Sequence, residues 1–144
     1  MAKLAIIYGT GFGNTGIMAM ALEEGAKKAG LDVLIKKIDV ASPTDVENVD
    51  AIAIGLATYK GAGMPTVINY VKSLENINLK GKVGTAFGSY GWSGEGPNVV
   101  TNMLKGFGMN VIEPPLRIKR IPEEEGKEEC RLLGKKIAES IKNE

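Results

Sequence analysis

The sequence lacks histidine entirely and contains one cysteine among its 144 residues. Histidine supplies the base of Ser-His-Asp triads, the usual haem ligand and part of carboxylate di-iron sites. A single thiol, Cys130, is too few for an iron–sulfur cluster, a structural zinc or a rubredoxin-type iron. We therefore predict no metal site and no catalytic residue, and we interpret Cys130 as a packing residue in a helix-like stretch.

Excess charge and long apolar runs are also missing. The 18 basic and 17 acidic residues give a net charge of +1, which argues against nucleic acid or anionic membranes as partners. No apolar run approaches the ~20 residues of a membrane span. The N-terminal stretch MAKLAIIY lacks the length and cleavage site of a signal peptide. We expect a cytoplasmic protein in which residues 1–144 form one domain.

The segments that are present alternate between strand-like and helix-like patterns. Apolar runs of strand length occur at residues 3–8, 32–38, 50–56 and 82–88, and a fifth strand, bent by Pro114-Pro115, lies within 110–119. Helical spacing or helix-start signals occur at residues 14–29, 65–74, 98–106 and 122–142. This alternation predicts an α/β fold with a five-stranded parallel sheet covered by helices on both faces.

Three loops follow the first, third and fourth predicted strands and share an unusual composition. Their sequences are YGTGFGNT, ATYKGAGMP and GSYGWSGEGP, all rich in glycine with hydroxyl or aromatic residues. The chain has 19 glycines, well above the ~7% of average usage. Because ligands of open α/β sheets bind at the carboxyl ends of the strands, we expect these loops to form one site.

The first loop fits two kinds of nucleotide. Gly11, Gly13 and Gly16 spell G-x-G-x-x-G between a strand and a helix, and Asp39 closes the second strand where a ribose-binding acid would lie. This spacing is typical of dinucleotide sites. However, dinucleotides are usually bound across two mononucleotide-binding halves with six strands, and five strands cannot build the second half.

A terminal phosphate is the other possibility. Thr10, Asn14 and Thr15 add side-chain donors to the backbone amides at a helix N-terminus, which suits a phosphate dianion. No lysine or arginine occurs between residues 4 and 26, so dipoles alone would neutralise the phosphate.

The other two loops carry aromatic residues, Tyr59, Tyr90 and Trp92. A flat ring between aromatic side chains gains roughly 0.5–1.5 kcal/mol per stacked pair beyond its buried area. A phosphate in the first loop and a flat ring between the other two describe flavin mononucleotide (FMN). The alternatives left open are glycines that only make turns, and Tyr59 or Trp92 as ordinary packing aromatics.

The motifs GTGFGNT, GLATYKGAGMP and FGSYGWSGEG, with the tail EPPLRIKRIP, resemble those of flavodoxins, and more closely the flavodoxin domain of flavodiiron (A-type) flavoproteins. The resemblance implies a flavodoxin-like three-layer sandwich with strand order 2-1-3-4-5 and one non-covalent FMN. It implies that the cofactor-binding residues are Thr10, Gly11, Phe12, Gly13, Asn14 and Thr15 at the phosphate, Ala57, Thr58, Tyr59, Lys60 and Gly61 in the second loop, and Gly88, Ser89, Tyr90, Gly91, Trp92 and Gly94 in the third. Tyr59 and Trp92 would flank the ring.

The function that the resemblance implies is low-potential electron transfer between redox partner proteins. The metal-binding domain of flavodiiron proteins has no counterpart in these residues, so reduction of oxygen or nitric oxide at a di-iron centre is not expected of this chain. Free flavodoxins are typically acidic, whereas this chain is near neutral. Two alternatives stay open: an NAD(P)H-dependent FMN or quinone reductase, which needs a nicotinamide pocket, and a flavin-free binding module.

Overall fold

The computed structural model describes residues 2–10, 13–59, 62–91 and 94–142. The strands are β1 (Lys3–Tyr8), β2 (Asp32–Lys37), β3 (Ala51–Gly55), β4 (Thr58–Tyr59), β5 (Ala62–Gly63), β6 (Val83–Tyr90), β7 (Asn110–Val111) and β8 (Leu116–Lys119). The helices are α1 (Asn14–Lys28), α2 (Pro65–Lys72), α3 (Glu95–Gly106) and α4 (Glu124–Lys142), with short 3-10 turns between some elements.

The main sheet has the order β2-β1-β3-β6-β7, and β8 also pairs with β6. Every pair in this sheet is parallel. With β6 as the fourth strand, and β7 and β8 as two pieces of the fifth, the predicted order 2-1-3-4-5 is confirmed. Pro114 and Pro115 lie between the two pieces, where proline cannot donate to a strand ladder.

Alternating side chains of the central strands fill two hydrophobic cores. In β1, Leu4, Ile6 and Tyr8 pack in the core that includes α1 and α4, whereas Ala5 and Ile7 pack in the core that includes α2 and α3. All of β3 is buried, as expected for a central parallel strand covered on both faces. The sheet is therefore held between two helical layers, and its carboxyl edge is left to the connecting loops.

Several boundaries differ from the sequence prediction for physical reasons. Strand β6 extends through Ser89 and Tyr90 because both residues pair with β8. Helix α3 begins at Glu95 instead of Asn98, because Pro97 fits the first turn, where its missing N–H has no cost. Helix α4 begins at Glu124, later than the predicted Pro122. The ribbon of β4 and β5 was not predicted, since two-residue strands carry no periodicity.

No helix in the described part of the chain is both long enough and apolar enough to cross a membrane.

Candidate cofactor site

The first glycine-rich loop joins β1 to α1 and is held by one hydrogen bond to the end of β3 and one within the loop. The amide of Gly9 donates to the carbonyl oxygen of Gly55 at 3.0 Å, which ties the loop to the end of β3. The hydroxyl oxygen of Thr10 accepts a hydrogen bond from the amide of Gly13 at 2.9 Å. Gly13 has a φ of 90°, a left-handed conformation that glycine adopts without steric cost. The predicted residues Gly11 and Phe12 lie outside the described residues.

Helix α1 begins with an open, positively polarised N-terminus. Its N-cap residue Gly13 provides no capping side chain, and the first turn contains no acidic residue. Among the residues that the structure describes, the first backbone bond of the helix runs from the amide of Ile17 to the carbonyl of Gly13. Within the described ranges, no acceptor is bonded to the amides of Asn14, Thr15 and Gly16. Such amides, together with the helix dipole, make an anion-binding position.

Thr15 and Asn14 occupy different environments at this helix start. Thr15 is fully buried, and its hydroxyl oxygen lies 3.3 Å from the hydroxyl oxygen of Ser89 and accepts the Ser89 amide at 3.4 Å. Asn14 is half-buried, as is Thr10. A buried pair of hydroxyl groups therefore joins the start of α1 to the end of β6.

The second loop is a short antiparallel ribbon fixed to its surroundings at several points. The amide of Leu56 donates to the carbonyl of Phe87 at 3.0 Å, and the amide of Met64 donates to the carbonyl of Ala57 at 3.2 Å. Ala57 and Thr58 are half-buried, and Thr58 pairs with Gly63 across the ribbon. The backbone of Tyr59 belongs to β4, but its side chain, with Lys60 and Gly61, lies outside the described part.

The third loop follows β6 and is contacted by β8. A side chain at Gly88 would collide with the carbonyl oxygen of Leu56, so β6 and the end of β3 approach here at backbone distance. Tyr90 is half-buried and Gly91 exposed, whereas Gly94 is buried. The carbonyl of Tyr90 accepts the amide of Arg120 at 2.6 Å. Trp92, the predicted ring partner, is outside the described residues.

Two residues at this edge were missed by sequence reasoning. The guanidinium of Arg117 in β8 donates to the carbonyl of Gly94 at 3.3 Å. The amide of Gly96, in the first turn of α3, donates to the hydroxyl oxygen of Thr58 at 2.9 Å. Both contacts join segments more than twenty residues apart, which a local pattern does not reveal. The sequence indicates Gly96 only through its position in the glycine-rich stretch GSYGWSGEGP, whose last residues form the first turn of α3.

The comparisons with known proteins agree with this geometry. The family model for flavodoxin matches residues 6–134. The type A flavoprotein fprA of Rhodobacter capsulatus is 35% identical over 144 residues, covering 96% of this chain and 33% of that protein. A solved flavodoxin from the domain Archaea has a TM-score of 0.93 and 34% identity, covering 97% of this chain and 99% of that chain.

Rubredoxin oxygen:oxidoreductase from Desulfovibrio gigas has a TM-score of 0.93 at 26% identity, covering 98% of this chain and 36% of that chain. The chain thus spans about a third of the length of the first curated relatives that it matches.

Proposed function

This chain belongs to the flavodoxin family, and on that premise we propose that it is an FMN-dependent electron carrier acting between redox partner proteins. FMN is the cofactor of flavodoxins and of A-type flavoproteins. When bound, FMN supplies one- and two-electron redox chemistry, and the protein supplies binding, orientation and electrostatics. Beyond the family and its cofactor, the proposal includes the binding residues predicted from the sequence, the role as an electron carrier and a cytoplasmic location.

The observation that carries the proposal is the open N-terminus of α1. Gly13 leaves the first turn without a side-chain cap, and no acidic residue competes for its amides. A phosphate bound there would accept from the amides that follow Gly13 and from the half-buried side chains of Thr10 and Asn14. The bond from Gly13 uses the Thr10 oxygen as an acceptor, so the hydroxyl proton of Thr10 would be donated to a phosphate oxygen.

The second and third loops suit a flat ring next to that phosphate. Both loops begin at carboxyl ends of neighbouring strands, β3 and β6, and the backbone bond from Leu56 to Phe87 holds these ends together. We propose that Tyr59 and Trp92 flank the ring and that Tyr90 and the loop backbone complete its surroundings. This arrangement would shield the ring faces and leave one ring edge for contact with a partner protein.

A reductase that takes hydride from NAD(P)H is the second candidate, and it needs a nicotinamide pocket beside the ring. Two surface cavities of about 260 and 310 Å³ lie elsewhere. The smaller is between α1 and α4, near Gly25 and Leu132, and the larger is between Pro114 and Leu133. Neither is near the three loops, so neither cavity favours the reductase.

An electron-transfer assay tests the proposal against both alternatives. The FMN-loaded protein is reduced anaerobically and mixed with cytochrome c, a one-electron haem acceptor. We expect stoichiometric reduction of the cytochrome and no steady-state oxidation of NADH or NADPH by the protein alone. Turnover of either nucleotide without a partner would favour the reductase. A protein that binds no FMN would instead be a flavin-free module.

A further inference from the structure

Helix α3 has no cap of its own, and the second loop provides one. The N-cap residue Gly94 has no side chain, and the amide of Gly96 donates instead to the Thr58 hydroxyl oxygen at 2.9 Å. A helix amide at this position is normally satisfied by the side chain of the N-cap residue itself. Here the acceptor comes from a different loop, so the bond fixes two segments that are distant in the chain.

The packing around Gly96 is as close as the hydrogen bond implies. A β-carbon at Gly96 would lie 2.9 Å from the Thr58 hydroxyl oxygen, 3.2 Å from the α-carbon of Gly63 and 3.3 Å from the γ-carbon of Leu56. The first turn of α3 therefore lies directly on both strands of the β4–β5 ribbon. The next residue, Pro97, is buried and would meet a β-carbon placed on Gly88, so the same turn also contacts the end of β6.

This turn follows the third loop directly in the chain. Gly94 ends that loop, and its carbonyl oxygen accepts a hydrogen bond from the guanidinium of Arg117. Thr58 is the first residue of β4 and so begins the β4–β5 ribbon of the second loop. The Thr58–Gly96 hydrogen bond and the close approach at Gly96 thus join the two loops that, under the proposed function, enclose the flavin ring, in addition to the Leu56–Phe87 bond at the strand ends.

We propose that Thr58 and Gly96 are positioning residues that fix the width of the ring site. The inference rests on the proposed function. The Thr58 hydroxyl oxygen accepts the amide of Gly96, so this side chain has a partner within the protein itself. The phosphate loop has its own internal bond between Thr10 and Gly13, so a change at Thr58 or Gly96 acts on ring binding and not on phosphate recognition.

The test compares four single variants by titrating flavin-free protein with riboflavin and with FMN. Thr58→Val keeps the side-chain shape but removes the acceptor, and Thr58→Ser keeps the acceptor. Gly96→Ala keeps the donor but pushes the ribbon away. Gly106→Ala is the matched control in the same helix, since a β-carbon there meets nothing within 4 Å.

We expect Thr58→Val and Gly96→Ala to weaken the binding of both riboflavin and FMN about tenfold, which is about 1.4 kcal/mol of binding free energy. The ratio of FMN to riboflavin affinity should stay at the parent value, and the visible circular dichroism of the bound flavin should change. Thr58→Ser and Gly106→Ala should bind as the parent does. A purely structural cap would lower the melting temperature of the flavin-free protein without changing the affinities or the spectrum.

Parent-like riboflavin affinity and spectrum in Thr58→Val or Gly96→Ala would overturn the inference, as would a loss confined to FMN. If one of these variants does not fold, the other decides, because they disturb the contact from opposite sides. A parent protein that binds neither flavin would overturn the proposed function itself, which distinguishes the two failures.

Discussion

At the scale of single residues, Asn14 and Thr15 are neighbours in different environments. Asn14 is half-buried at the open start of α1, whereas the Thr15 hydroxyl is buried against Ser89. We expect Asn14→Ala to weaken FMN binding by roughly 10- to 150-fold, the value of one hydrogen bond to a charged group, and to leave riboflavin binding unchanged. Thr15→Ala should weaken the binding of both flavins, because it also removes the hydroxyl contact with Ser89. Fluorescence titrations measure the affinities for FMN and for riboflavin. Equal losses of the two affinities in Asn14→Ala would show that Asn14 does not contact the phosphate.

Asp45 predicts a pH dependence of stability. Its carboxylate accepts the Ser42 amide at 2.8 Å and lies 3.0 Å from the ammonium of Lys36, and these contacts, the Ser42 bond foremost, lower the pKa of Asp45. A lowered folded-state pKa contributes stability above the unfolded pKa of about 3.9 and loses it as pH falls through the folded value. Asp45→Asn should therefore be less stable than the parent at pH 7, and this difference in stability should begin to narrow as the pH falls below about 4. Urea unfolding at several pH values measures the gap, and a constant gap would contradict this role.

Cys130 illustrates a residue whose chemistry is suppressed by its position. It is fully buried in α4, and burial, reinforced by Glu129, raises the pKa of its thiol to about 12. At pH 8 the thiolate population is then roughly a thousandfold lower than in an exposed cysteine. We expect a thiol reagent such as Ellman's to leave the native protein unmodified and to titrate one thiol after denaturation. Rapid modification of the native protein would place Cys130 at an accessible surface.

At the scale of elements, the contact between α1 and α4 depends on glycine. A side chain at Gly25 would collide with the backbone of Arg131, and one at Gly134 would lie 2.5 Å from the amide nitrogen of Ala26. Backbone atoms cannot move aside as flexible side chains do. We expect Gly25→Ala to lower the free energy of unfolding by about 1–3 kcal/mol. Gly106→Ala, which enters open space, should be neutral or stabilise by up to about 1 kcal/mol. Thermal unfolding separates the two, and a stable Gly25→Ala variant would show that the helices can move apart at little cost.

Among the elements, local sequence patterns predict some parts of the fold and not others. Strands such as 50–56 were predicted because continuous apolar runs mark burial on both faces. The sequence predicts a loop at Ser89 and Tyr90, whereas both belong to β6, because their strand conformation depends on pairing with β8, much later in the chain. The β4–β5 ribbon is too short for any periodic pattern. Glycine-rich loops were recognised from composition, whereas the Thr58–Gly96 and Arg117–Gly94 contacts require the folded geometry.

At the scale of the whole molecule, the parallel sheet is what assembles the site. Strands β1, β3 and β6 are adjacent and point the same way, so their following loops meet at one edge. Hydrogen bonds then join each loop to a neighbouring element. Gly9 is bonded to Gly55 at the end of β3, Thr15 to Ser89 in β6, and Thr58 to Gly96 in α3. Under the proposed function, these adjacent loops would hold the phosphate and the ring of one mononucleotide side by side.

The most direct test of this account is a titration of the flavin-free protein with FMN and with riboflavin, followed by flavin fluorescence. We expect one FMN per chain, bound more tightly than riboflavin by about tenfold or more, since riboflavin lacks the group that the α1 amides would bind. Equal affinities for the two flavins, or no saturable binding of FMN, would contradict a phosphate site at the N-terminus of α1.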